Sequence, residues 1–213
     1  DRSKSRQVEL GVEVAPLSVH FGAETFRDGV DLTNGDFYAR LRRAESLPTT
    51  SQVNPEDFAA RFRACREAGV KPIIGCEVYV APRGRTRFQK VHEFDSSFHH
   101  LVLLCRNEEG YRNLSYMVSQ AFLEGFYIKP RIDLDLLREH CGGLIACSAC
   151  LGGEVPKLLA AGDYDKAKEV ALEMRELFGA DGYYLELQDH GIRDQAIVNQ
   201  GILRIHRETG LPM

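Results

Sequence analysis

Lys71-Pro-Ile-Ile-Gly-Cys-Glu-Val-Tyr-Val-Ala-Pro82 is the stretch from which the fold of this 213-residue chain can be read. Residues 73–80 form an apolar run of strand length between two prolines, rich in β-branched and aromatic side chains, and predict a buried strand. One carboxylate, Glu77, interrupts the run. A buried carboxylate is costly unless it is paired or coordinates a metal. Glu77 therefore reads either as a metal ligand or as the partner of an Arg or Lys.

Upstream of this strand, Asn54 suits an N-cap, Pro55 the first helical position, and Glu56 and Asp57 the positive end of a helix dipole. Phe58, Phe62 and Cys65 follow at helical spacing, and Gly69 ends the run. Downstream, a strand is expected over 101–105, then a helix capped by Asn107 with Leu114, Met117, Val118, Ala121 and Phe122 on one stripe. A short helix near 133–140 precedes a strand over 144–147. Asp163 opens a helix that turns Ala167, Val170, Ala171, Met174 and Leu177 inward and ends at Gly179. A strand over 183–187 and a helix over 194–208, stopped by Gly210, complete the series. Repeated strand–helix units with apolar strands predict an α/β fold with a parallel sheet covered by helices, as an open sheet or a barrel. The final residues 210–213 fall where a further strand is expected to begin, so the fold is expected to be incomplete.

Residues 1–53 carry weaker signals. Val12, Val14 and Val19 fit a strand and 37–47 a helix, whereas Thr49 to Val53 is too polar for a buried strand. The expected organisation is a divergent segment, 1–53, followed by a domain over 54–213.

The bulk properties are those of a water-soluble α/β domain, with 44% hydrophobic and 27% charged residues. No run nears the roughly 20 apolar residues that span a bilayer, and the charged N-terminus is unlike a signal peptide, so a cytoplasmic location is expected. A net charge of −4 gives no overall attraction to nucleic acid. Two basic clusters, Arg40, Arg42 and Arg43, and Arg83, Arg85, Arg87 and Lys90, read as solvated surface before they read as phosphate contacts. Cys65, Cys76, Cys105 and Cys147 sit in apolar segments and read as core thiols. Cys147 and Cys150 form a CxxC, but without a second such pair or a redox motif it argues for neither a zinc ribbon nor a thioredoxin site.

The remaining polar points lie at strand edges. His100 opens the 101–105 strand and reads equally as a ligand or a satisfied edge histidine. Cys150, Asp189 and His190 follow strand ends, where β/α-barrel chemistry gathers. Glu, His and Cys together suit zinc or a similar divalent ion. There is no P-loop, no GxGxxG after a strand and no GxSxG elbow. Gly152-Gly153-Glu154 reads as a tight turn into a helix before it reads as an anion site.

Beyond these readings, several ordered segments resemble a known family: residues 71–82, Asn107 to Leu114, Leu123-Glu-Gly-Phe-Tyr-Ile-Lys-Pro130, Ser148 to Glu154, and Leu185-Glu-Leu-Gln-Asp-His-Gly191. Together they resemble the PHP (polymerase and histidinol phosphatase) domain of the bacterial DNA polymerase III alpha subunit, over about residues 58–213. The resemblance implies a distorted β/α barrel with a cluster of up to three metal ions, zinc or manganese. It implies either a metal-dependent 3′→5′ exonuclease or, where the site has decayed, a structural module that docks a proofreading subunit. It also implies partners: the remainder of the polymerase chain, other replisome subunits, and DNA through the parent protein. Carried over residue by residue, it marks Glu77, His100 and Cys150 as metal ligands. Ser18-Val19-His20 and Arg27-Asp28-Gly29 echo two further family motifs, which adds His20 and Asp28. Thr50-Ser51-Gln52-Val53-Asn54 stands where the family has Thr-Asp-His-Gly-Asn, so both ligands of that pair are replaced. The balance favours a structural or docking role in DNA replication over an active phosphoesterase.

Overall fold

The structure, a computed structural model, describes residues 10–14, 17–21, 63–82, 84–85, 96–189 and 191–213. Its contacts divide the chain into two compact units, Asp1–Cys76 and Glu77–Met213. In the first, β1 (Leu10–Val14) pairs antiparallel with β2 (Leu17–Phe21). The latter pairs antiparallel with the start of β3 (Pro72–Val80), with Ser18 opposite Gly75 and Phe21 opposite Pro72. Residues 63–67 are helical and end where expected: Gly69 takes a φ of 73°, and Val70 N–H donates to Cys65 O at 2.9 Å. Cys65, Ala68 and Val70 form the small core there.

The second unit contains the end of β3 together with β4 (His99–Cys105), β5 (Arg131–Ile132), β6 (Leu144–Cys147) and β7 (Tyr183–Tyr184). The strands follow the order β3-β4-β6-β7, with β5 beside β3, and among the described residues this sheet does not close. Among the described residues five helices accompany it: α1 (Glu108–Leu123), α2 (Leu134–His140), α3 (Glu154–Ala160), α4 (Tyr164–Phe178) and α5 (Arg193–Thr209). The α/β class is as expected.

The uniformly parallel sheet is not. β3 and β5 run parallel, as do β6 and β7, but β4 and β6 are antiparallel, with Val102 opposite Cys147 and Cys105 opposite Leu144. Apolar composition reports that a strand is covered; it carries no information about direction. The strand expected over 183–187 is also shorter than its apolar run. Beyond Tyr184 the backbone leaves the ladder, because Leu185 N–H donates to Pro212 O and Glu186 N–H to the Ser148 hydroxyl.

Helix starts follow their side chains. Asn107 accepts the N–H of Gly110, Asp133 that of Leu136, and Asp163 that of Lys166. Leu114, Met117 and Ala121 of α1 are buried as their spacing requires, and so are Ala167, Val170, Ala171 and Met174 of α4. Each large apolar side chain enclosed this way contributes about 1.5–3 kcal/mol. Phe122, expected on the same stripe, is instead exposed and stacks on Phe126.

Asp133 does more than cap α2. Its carboxylate also binds Arg85, with the guanidinium Nη1 at 3.0 Å and the backbone N–H at 2.9 Å, while Nη2 of Arg85 reaches Glu124 at 2.8 Å. Arg85 thus serves an internal ion pair and is not solvated surface; the other members of the two basic clusters lie outside the described residues. Burial pushes the Asp133 carboxyl upward, but donors from Arg85 and Leu136 outweigh it and hold the group below the usual carboxylate range. A depressed folded-state pKa gives stability that is present above about pH 4 and is lost as pH falls below it. Asp133→Ala is expected to cost about 1–3 kcal/mol in urea unfolding at pH 7. Asp133→Asn should cost less and flatten the acid limb of the stability curve below about pH 4.

Candidate metal centre

β3 and β4 and the turn after β6 bring three side chains together. By the two-residue period of a strand, Cys76, Val78 and Val80 turn into the core while Glu77 and Tyr79 share the other face. Glu77 is therefore not buried: 43% of its side chain is exposed, so the expectation of an enclosed carboxylate does not hold. One of its partners is a histidine, with Oε1 lying 3.0 Å from Nδ1 of His100.

His100 sits within β4, second from its start. In a parallel sheet that position would lie at the far end from Cys150. The antiparallel ladder reverses this, because the start of β4 lies beside the end of β6. Immediately after β6, Ala149 takes a left-handed φ of 62°, a conformation that costs a non-glycine residue about 1–2 kcal/mol. Cys150 follows, its Sγ 3.4 Å from His100 Nδ1 and 3.4 Å from the Gly152 N–H that donates to it. Burial and hydrogen bonding anchor the turn: Ser148 is 3% exposed, and its N–H donates to Tyr184 O at 3.0 Å.

The imidazole is held on several sides. Its backbone N–H donates to Gly152 O at 2.9 Å, Phe98 stacks on the ring with 12° between planes, and Tyr79 meets it edge-on at 5.2 Å. A Cβ at Gly152 would fall 2.9–3.0 Å from three ring atoms. Neighbouring His99 is a different case. Burial, with the positive charge of Lys157 and the neighbouring His100, lowers its pKa from 6.5 to about 4.

Glu77, His100 and Cys150 offer one donor atom each, and all three atoms lie within 4.8 Å of one another; among the described residues this is the one such group. In a tetrahedral zinc site with bonds of about 2.0–2.3 Å, neighbouring donors stand about 3.3–3.7 Å apart. The donor types suit one divalent ion, and the 3.4 Å between His100 Nδ1 and Cys150 Sγ falls in that range. Without an ion, a neutral imidazole can meet both contacts by sharing its Nδ1–H between the Glu77 carboxylate and the Cys150 sulfur. With one, all three atoms can offer it lone pairs.

Of the other expected site residues, Asp189 is described and does not join the group. Asp189 is exposed and accepts the N–H of Gly191. His190 and Asp28 lie outside the described residues, and His20 falls in β2, for which the backbone pairing alone is described. Gly153 caps the seven-residue α3, in keeping with a tight turn. Phe98, Ala149 and Gly152 support the site without any periodic signal of their own; the close Gly-Gly pair after Cys150 was the one local hint.

The PHP domain family model matches residues 36–190. The chain belongs to the PHP domain family. Among curated proteins, the DNA polymerase III subunit alpha of Borreliella burgdorferi is 44% identical over 71% of the chain and 13% of its own length. The proteins of that name from Treponema pallidum and Thermus aquaticus are 42% and 43% identical, each over 79% of the chain and 14% of their own length. The chain thus spans about one seventh of the length of the relatives it matches. PHP domains are generally metal-dependent, in keeping with the donor set found here.

Gly152→Ala is expected to push the His100 ring away from its partners and to cost about 1–3 kcal/mol, as overpacking does. A shifted His100 imidazole NMR signal and a lower urea midpoint would report it. For His99 the folded pKa lies below the unfolded one, so the unfolded chain binds more protons between pH 6.5 and about 4. Stability in metal-free buffer should fall as pH drops through that window, and His99→Gln should flatten the fall.

Proposed function

We propose that this chain is part of a replicative bacterial DNA polymerase alpha subunit, in which its PHP domain serves DNA replication as a structural or docking module. What carries the reading is the set of relatives, three chains named DNA polymerase III subunit alpha, each matched over 13–14% of its length at 42–44% identity. Its partners are the remainder of the polymerase chain, other replisome or proofreading subunits, and DNA through the parent protein. A cytoplasmic location belongs to the same reading; no described helix is long and apolar enough to cross a membrane.

Within this module Glu77, His100 and Cys150 hold one divalent ion, zinc or manganese. A divalent ion can polarise a phosphoryl oxygen or activate water. The chain's own residues do something simpler: they link β3, β4 and the turn after β6 through three donors within 4.8 Å. Hydrolysis of a phosphodiester by a multi-metal cluster needs more donors than this group supplies.

Metal analysis of the purified chain, paired with a phosphodiester hydrolysis assay in added Mn²⁺ or Zn²⁺, tests the role. No more than one ion per chain, lost in His100→Ala, with no hydrolysis above the blank, is the expected result. Two or more ions per chain, together with hydrolysis abolished by Glu77→Ala, would overturn the structural reading in favour of an exonuclease.

A further inference from the structure

We propose that the open flank of α1 and the turn after it, from Tyr111 to Ile128, form the surface against which another domain of the same polymerase chain packs. The proposal rests on the reading of this chain as part of an alpha subunit and goes beyond it by naming the surface and its occupant.

The apolar arc of α1 is wider than its covered face. Leu114, Met117 and Ala121 are enclosed, whereas Val118, of the same expected stripe, is half-buried and Phe122 is 45% exposed. Tyr111, Ser115, Val118 and Phe122 follow one another at helical spacing, so they form a continuous stripe beside the covered one. Phe126, 54% exposed, extends the stripe by stacking on Phe122 at 6.3 Å. The backbone beyond it is strained. Lys129 N–H donates to Tyr127 O at 2.6 Å and closes a three-residue turn around Ile128, whose φ is 62°. Such a turn with positive φ is the rare form, and a β-branched residue is an outlier there. It holds the Ile128 side chain in the open, 55% exposed. Strain of this kind gathers where a ligand or partner is met.

The make-up of the surface points to its occupant. None of Tyr111, Ser115, Val118, Phe122, Phe126 and Ile128 is charged, and Glu108 and Arg112 beside them pair with each other. A phosphate backbone finds no cation on this stripe. A protein finds an uncharged centre with a polar rim, the anatomy of an interface. Because the stripe continues the domain's own core, it suits a permanent partner in preference to a passing one. The relatives are matched over 13–14% of their length, so in the proposed parent most of the polymerase chain lies outside this domain and is tethered to it. Tethering keeps such a partner at high effective concentration.

The test uses the full-length polymerase subunit encoded with this chain, carrying the photo-cross-linker p-benzoylphenylalanine in place of Phe122 or, as a control, of Glu169, an exposed residue of α4. On irradiation the form labelled at 122 is expected to cross-link within the subunit to peptides outside the PHP domain, and the form labelled at 169 is not. With no substitution at all, hydrogen exchange over residues 124–129 is expected to be about tenfold slower or more in the subunit than in this chain alone. The absence of a cross-link from 122, or exchange within about twofold of the isolated chain, overturns the proposal while leaving a PHP module in a polymerase intact. Cross-links that reach only a second copy, or only an added proofreading subunit, overturn it in the same way. A reading frame that holds this chain but encodes no further polymerase domain overturns both the proposal and the reading on which it rests.

Discussion

The antiparallel ladder between β4 and β6 is the constraint on which the candidate site depends. With Val102 opposite Cys147, the register carried two to three residues past β6 sets the start of β4 against the turn at Ala149 and Cys150. A histidine that opens one strand and a cysteine that follows another are thereby neighbours, though 50 residues separate them. Had the two strands run parallel, the same residues would lie at opposite ends of the sheet. The left-handed Ala149 then bends the chain so that Cys150 turns back toward the ring.

Much of the second unit was legible from local chemistry. Asn107, Asp133 and Asp163 each accept a backbone N–H from the first turn of the helix they open, and Gly210 closes α5 in the left-handed conformation. These are effects of residues within a few positions of one another, so the sequence expresses them directly. Strand direction is not local. It follows from how many segments cross between two strands, and apolar runs are silent about it. For that reason His100, at a strand start, read equally as a ligand or an edge histidine, although its position is what brings it to Cys150.

Glu77 shows a second limit. Its neighbours Cys76 and Val78 are buried, which made the whole stretch look enclosed, yet alternate residues of a strand face opposite ways. The face that carries Glu77 and Tyr79 is partly open, so the carboxylate escapes the cost of full enclosure. Arg85 was misread in the opposite sense. In a run of basic residues it resembled surface, whereas the carboxylate that caps α2 recruits it into an ion pair that also reaches Glu124. The supporting residues of the site, Phe98 and Gly152 above all, act through shape, and shape has no signature in one sequence.

The confinement of the His100 ring has a consequence for affinity. The stacked Phe98, the edge of Tyr79 and the close backbone of Gly152 settle the imidazole's orientation as the chain folds. A donor whose rotamer is already chosen surrenders little conformational entropy when it captures a ligand, a form of preorganisation. Part of the grip on an ion is therefore stored in residues that never touch it. Drift at Phe98 or Tyr79 would loosen the centre gradually while every donor atom stayed in the sequence, so the list of ligands alone is a poor guide to how well such a domain holds its metal.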